Sequence, residues 1–191
     1  MPPILILASA SPRRQELLSQ MGVSYALHPV DLDETPLANE TPLAYVQRLA
    51  ASKSAACVAE RGNALPVLAA DTTVVLDGLI MGKPKNYADA FAMLSRLSGK
   101  THQVFTAVSV RGRGHDQAVS ITDVTFRELS EQEIAAYWRS GEPLDKAGSY
   151  AIQGKGGLFV TSLTGSFSGV VGLPLFETAQ LLSQQGIGLF L

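Results

Sequence analysis

One cysteine, Cys57, and three scattered histidines, His28, His102 and His115, are all the thiol and imidazole ligands in a chain of 191 residues. A lone thiol excludes an internal disulfide and any thiolate metal cluster, and it fits a reducing compartment, so a cytoplasmic protein is expected. The histidines lack ligand spacing and read as ordinary strand or loop residues. Charge of one sign is also missing: Lys plus Arg is 15 against Asp plus Glu 17, a formal net charge of -2, which excludes a polycationic surface for nucleic acid. No apolar run is long enough to span a bilayer. "MPPILILAS" has no basic stretch before its short apolar run, so it reads as a buried strand, and no membrane association is expected. Linkers, low-complexity tracts and internal repeats are absent, so a single domain over residues 1–191 is expected. There is no GxxxxGK[ST] or GxGxxG between a strand and a helix, which rejects a P-loop and a dinucleotide fingerprint and leaves "GKGG" at 154–157 without a role. No GxSxG elbow marks a serine nucleophile.

What is present is apolar: 46% of residues are hydrophobic, ample for a substantial core. Ile4 to Ala8 has strand length, and Ser11-Pro12 opens a helix that Gly22 ends, with Leu17, Leu18 and Met21 inward. Thr41-Pro42 opens a second helix running to Gly62, with Val46, Leu49, Ala50 and Cys57 on one stripe. Lys53 shares that stripe. "VLAADTTVVLDGLIMGKP" predicts an apolar strand with Asp71 at the end of its "VLAA" run, then a hairpin turning at Asp77-Gly78. A helix from about Asn86 to Ser98, strands at roughly 103–110 and 118–126, and a helix opened by the capping box Ser130/Glu133 follow. Residues 148–174 read as short strands punctuated by glycine, and a last helix covers about 175–185. Helices interspersed with strands, some in hairpins, predict an α/β fold with a mixed sheet flanked by helices.

Four places hold polar residues that such a fold does not require. In "SASPRR", Ser9, Ser11 and the N–H groups of a helix start form a plausible phosphate cradle beside Arg13 and Arg14. Arginine has the wrong sign for a helix N-terminus unless an anion binds there; the alternative is a plain Ser-Pro cap with both arginines in water. "DLDE" at 31–34 is either a solvated loop or a metal-facing cluster. Asp71 is either a turn residue or a rigid carboxylate at the end of an apolar strand, placed for a hard cation. Lys53 and Lys83 are each unremarkable alone. Together, Arg13, Arg14, Lys53 and Lys83 beside Glu34 and Asp71 suggest a metal and a polyphosphate.

"LASASPRRQELL", "DLDE", "RLAASKSAA", "AADTTVVLDGLIMGKP", "SGKTHQVFTAV", "DVTF", "EPLDKAGSYAIQG" and "VVGLPL", in this order from about residue 4 to residue 182, resemble the Maf family of nucleoside triphosphate pyrophosphatases. The resemblance implies a mixed α/β fold related to the inosine triphosphate pyrophosphatases, with two lobes around a cleft and often a homodimer. It implies a divalent cation, Mg2+ or Mn2+, held by Glu34 and Asp71, with Asp71 the catalytic carboxylate. It also implies that Ser9, Arg14, Lys53 and Lys83 surround the phosphates. One branch of the family acts on dTTP and UTP and another on 7-methyl-GTP. Arg13, Thr72 and Gln153 place this sequence in the first, since the second carries Trp, Gln and Glu there. A nucleotide-binding regulator of septum formation is the alternative; it would need the cationic cradle but neither Glu34 nor Asp71.

Overall fold

The computed structural model describes residues 2–62 and 64–189. Its centre is a seven-stranded mixed sheet in the order β2-β1-β3-β5-β6-β7, with β4 attached to β3. Strand β1 (Leu5–Leu7) lies parallel to β2 (Tyr25–Leu27) and to the start of β3 (Val67–Leu76). β4 (Leu79–Met81), β5 (Thr101–Arg111), β6 (His115–Phe126) and β7 (Val160–Thr164) extend it antiparallel. The β3-β4 turn is the expected one, with Asp77 at φ 51° and Gly78 at φ 78°. Positive φ at both positions is the type I′ geometry that suits the sheet's twist.

Helices cover both faces. Against one face lie α1 (Pro12–Gln20) and α6 (Leu175–Gln184), burying Leu17, Leu18, Leu181 and Leu182 against Leu5, Leu7, Leu68 and Val108. Full burial of each such leucine is worth roughly 1.5–3 kcal/mol. The long α2 (Pro42–Arg61) starts where Thr41 Oγ1 accepts the Ala44 N–H and stops at Gly62, φ 72°. Its buried stripe of Val46, Ala50 and Cys57 meets β1, β3 and β5. α3 (Tyr87–Leu97), capped by Asn86, and α4 (Glu131–Arg139), opened by the Ser130/Glu133 capping box, close a second core around Phe126, Tyr137, Tyr150 and Phe159.

Two expectations need correction. First, β3 does not end at Asp71. It continues to Leu76, and Asp71 pairs with Ala107 of β5 in mid-strand; the two threonines and two valines that follow are good strand formers and carry the ladder on. Second, residues 148–174 are mostly not strand. They form 3₁₀ turns at Ala147–Ser149 and Lys155–Phe159, then β7, then the short helix α5 (Phe167–Val171). Ser166 caps that helix by accepting the Gly169 N–H, and the Gly169 carbonyl accepts a hydrogen bond from buried Thr106. Tertiary contacts with the sheet thus outweigh the β-branched character of the segment.

Candidate active site

The sheet has a gap, and Asp71 sits in it. β1 pairs with β3 only at Val67 and Leu68, and β4 only at Val74, Val75 and Leu76. Between those two ladders, residues 69–73 keep β5 on one side, and Asp71, Thr72 and Thr73 line a cleft. Ser9, Arg13, Arg14, Glu34, Lys53, Asp71, Thr72, Lys83 and Gln153 all line this cleft of about 1310 Å³, as do Asp31 and Asp33. These residues, from six separate stretches of sequence, therefore meet in one concavity large enough for a nucleotide.

Within it lies an ionic triad in which Lys53 and Asp71 are buried and Glu34 is exposed. Lys53 Nζ, brought in by the inward stripe of α2, lies 2.6 Å from Asp71 Oδ1 and 2.5 Å from Glu34 Oε1. Asp71 is 6% exposed and Lys53 9%. Burial raises the Asp71 carboxyl above the ordinary carboxylate range, against the opposing pull of Lys53 and Arg14. For Glu34, partial burial also pushes upward, but the hydrogen bond and charge of Lys53, with Lys83 and Arg14 behind it, hold the group below its usual value. The two acids thus differ in environment, the condition for different chemical roles.

Glu34 is held through its own carbonyl and that of the next residue. Tyr45 Oη donates to the Glu34 carbonyl at 2.9 Å, and Arg48, itself paired with Glu40, donates to the Thr35 carbonyl at 3.2 Å. Asp33 Oδ1 accepts the Thr35 N–H at 2.9 Å, a turn-forming contact. One loop thereby combines both readings of "DLDE": Asp33 shapes the turn, while Glu34 reaches the triad.

Arg14 is not in water. Its Nε donates to the Gly172 carbonyl at 2.9 Å, Nη1 to Ser9 Oγ at 3.2 Å and Nη2 to Thr72 Oγ1 at 3.3 Å. Thr106 spends its hydroxyl proton on Gly169 O, so in the 2.9 Å contact between Thr72 and Thr106 it is Thr72 that donates. That leaves the Thr72 oxygen free to accept from Arg14, and Thr72 orients the guanidinium. Ser11 occupies the cap position of α1, yet its side chain makes no capping bond, and the first turn contains no acid. The helix start therefore keeps the anion-attracting character suggested by its sequence. Lys83, 3.6 Å from Asp145 with both side chains largely exposed, forms only a weak pair.

The donor set fits a hard divalent cation. Two carboxylate oxygens already converge on one positive centre, the Lys53 ammonium. Among the described residues no group of three or more His, Cys, Asp or Glu gathers, so phosphate oxygens and water would complete the shell, as is usual for Mg2+ in phosphate chemistry. Sequence reasoning missed Tyr45, Arg48, Thr106 and Gly172. Each acts through a contact distant in sequence, and none carries a local signal.

The chain matches the family model described as Maf-like protein over residues 4–185. It is 55% identical to a dTTP/UTP pyrophosphatase of Methylococcus capsulatus, across 96% of this chain and 92% of that protein. It is 53% identical to a dTTP/UTP pyrophosphatase of Pseudoalteromonas atlantica, across 96% and 98%. Among solved structures, the Staphylococcus aureus Ham1 protein is similar with a TM-score of 0.46 and 18% identity, over 66% of this chain and 72% of that one.

Proposed function

This chain belongs to the Maf family, and from that premise we propose that it hydrolyses dTTP and UTP to the nucleoside monophosphate and pyrophosphate. The observation that carries the reading is the buried Asp71 in the sheet gap, paired with Lys53 and Glu34 and facing the same cleft as the braced Arg14. In this reading Asp71 accepts a proton from water as the water oxygen attacks the α-phosphorus. The bond from that phosphorus to the α-β bridging oxygen breaks, and pyrophosphate leaves with the electron pair. Arg14, braced by Ser9, Thr72 and the Gly172 carbonyl, offers a guanidinium edge to the departing phosphates. Lys83, which lines the same cleft, adds charge, and Lys53 exchanges its carboxylate contacts for phosphate oxygens when the nucleotide arrives. Glu34 and Asp71 would hold Mg2+ or Mn2+, which when bound neutralises phosphate charge and lowers the pKa of nearby water.

Base choice falls to Gln153 and Arg13 in the cleft wall. The Gln153 carboxamide offers both an acceptor and a donor to match the N3–H and carbonyls of a pyrimidine. Thr72 contributes to specificity through its hold on Arg14. A cytoplasmic address and a homodimeric state belong to the same reading. The test is product analysis with UTP and dTTP in Mg2+ or Mn2+. UMP or dTMP and pyrophosphate are expected in equal amounts, whereas nucleoside diphosphate and orthophosphate as primary products would overturn it.

A further inference from the structure

The glycines of "GKGG" have a structural cause that leads to Glu142. This residue follows α4 and turns its carboxylate onto the loop that carries Gln153. Glu142 Oε1 accepts the Gly156 N–H at 3.0 Å and the Tyr137 hydroxyl at 2.7 Å, and Oε2 accepts the Lys155 N–H at 3.0 Å. The same Tyr137 oxygen accepts the Ala151 N–H at 3.1 Å. The loop is therefore gripped on both sides of Gln153, at Ala151 before it and at Lys155 and Gly156 after it. The grip leaves no room for side chains. A Cβ at Gly154 would sit 2.5 Å from Glu142 Oε2, one at Gly156 2.7 Å from Tyr137 Oη, and one at Gly157 2.5 Å from the Ile152 carbonyl. A carboxylate with two acceptor oxygens is suited to cap adjacent N–H groups of the 3₁₀ turn Lys155–Phe159, whose own start, Gly154, has no side chain to do so. Burial would raise the Glu142 carboxyl, but the Gly156 N–H, the Tyr137 hydroxyl and the Lys155 N–H outweigh it and keep the group acidic and ionised.

We propose that Glu142 is a positioning residue for base selection: with Tyr137 it clamps the 151–157 loop and so holds Gln153 against the pyrimidine. This rests on the reading of Gln153 as a base contact. Glu142→Gln keeps the size but turns one acceptor oxygen into a carboxamide NH2 donor facing a backbone N–H, so the clamp opens on one side.

The experiment measures steady-state UTP hydrolysis for the unmodified chain, Glu142→Gln, Gln153→Ala and the double variant. It adds inhibition by inorganic tripolyphosphate, which has the phosphates but no base. We expect Glu142→Gln to raise KM for UTP roughly tenfold with kcat changed by less than about twofold and tripolyphosphate inhibition unchanged. On the Gln153→Ala background the same substitution should cost almost nothing, because the two act on one contact. Additive losses in the double variant, or weakened tripolyphosphate inhibition, would overturn the clamp while leaving the Gln153 reading in place. Unchanged UTP kinetics in Gln153→Ala would instead overturn the base-contact reading itself. If Glu142→Gln does not fold, Tyr137→Phe removes one hydroxyl from the same clamp. It should show the same non-additivity at about threefold, and additivity there would count equally against the proposal.

Discussion

Replacing Asp71 with Asn separates activity from stability, because the fold disfavours the charge that the proposed chemistry uses. The substitution is nearly isosteric and removes the proton acceptor. Loss of a general base costs about 10²–10⁴-fold, and the lower bound of 10² corresponds to roughly 2.7 kcal/mol of barrier. Stability should move the other way. The Asp71 carboxyl is raised in the folded protein, mainly by burial. Above the unfolded pKa its ionisation therefore costs folding free energy, and a neutral amide removes that cost. Breaking a buried ion pair usually costs about 3–5 kcal/mol because the surviving partner is left uncompensated. Lys53, however, keeps Glu34 at 2.5 Å. We expect pyrophosphate release from UTP to fall at least about a hundredfold in kcat, with KM for UTP no higher, since one negative charge facing the triphosphate is gone. The Tm should be unchanged or higher. A kcat within about threefold of the unmodified chain would refute the role of Asp71. A Tm drop of roughly 6–20 °C, the equivalent of 3–5 kcal/mol in a chain of this size, would refute the electrostatic argument.

Two further outcomes follow from the same geometry. Arg14→Lys should raise KM for UTP by about tenfold despite keeping the charge, because an ammonium cannot span Ser9, Thr72 and the Gly172 carbonyl together; unaltered KM in steady-state kinetics would count against the braced guanidinium. His102 is buried against Tyr150, and burial holds it down to about 4 from 6.5. The unfolded chain therefore binds a proton that the folded chain refuses. Its contribution is complete above about pH 6.5 and is lost as pH falls toward 4, a difference on the order of 3 kcal/mol. Melting curves between pH 7 and 4 should show the Tm of the unmodified chain falling more steeply than that of His102→Leu, and parallel profiles would contradict this.

Much of the site is legible in the sequence because its signals are local or motif-bound. Thr41, Asn86 and the Ser130/Glu133 box start helices where side-chain oxygens meet free N–H groups three residues on, a matter of a few consecutive residues. The Asp77-Gly78 turn is equally short-range, and the 3.6-residue period of α2 is enough to put Lys53 on the inward face with Val46 and Cys57. The family resemblance gathers the residues of the cleft by their order in the chain. Other features depend on pairing between distant segments. Asp71 reads as the end of a strand because nothing nearby reveals that β5 continues beside it while β1 stops at Leu7 and β4 pairs with β3 no further back than Val74. The cleft is that interruption, a property of strand lengths and register that no single strand encodes. Thr72 becomes recognisable as the brace of Arg14 only with β3 and α1 side by side, and Glu142 as the clamp of the 151–157 loop only with α4 setting it against those N–H groups. Hydrogen-bond satisfaction at buried polar atoms is decided by whichever groups packing brings within about 3 Å, and sequence separation carries no information about that distance.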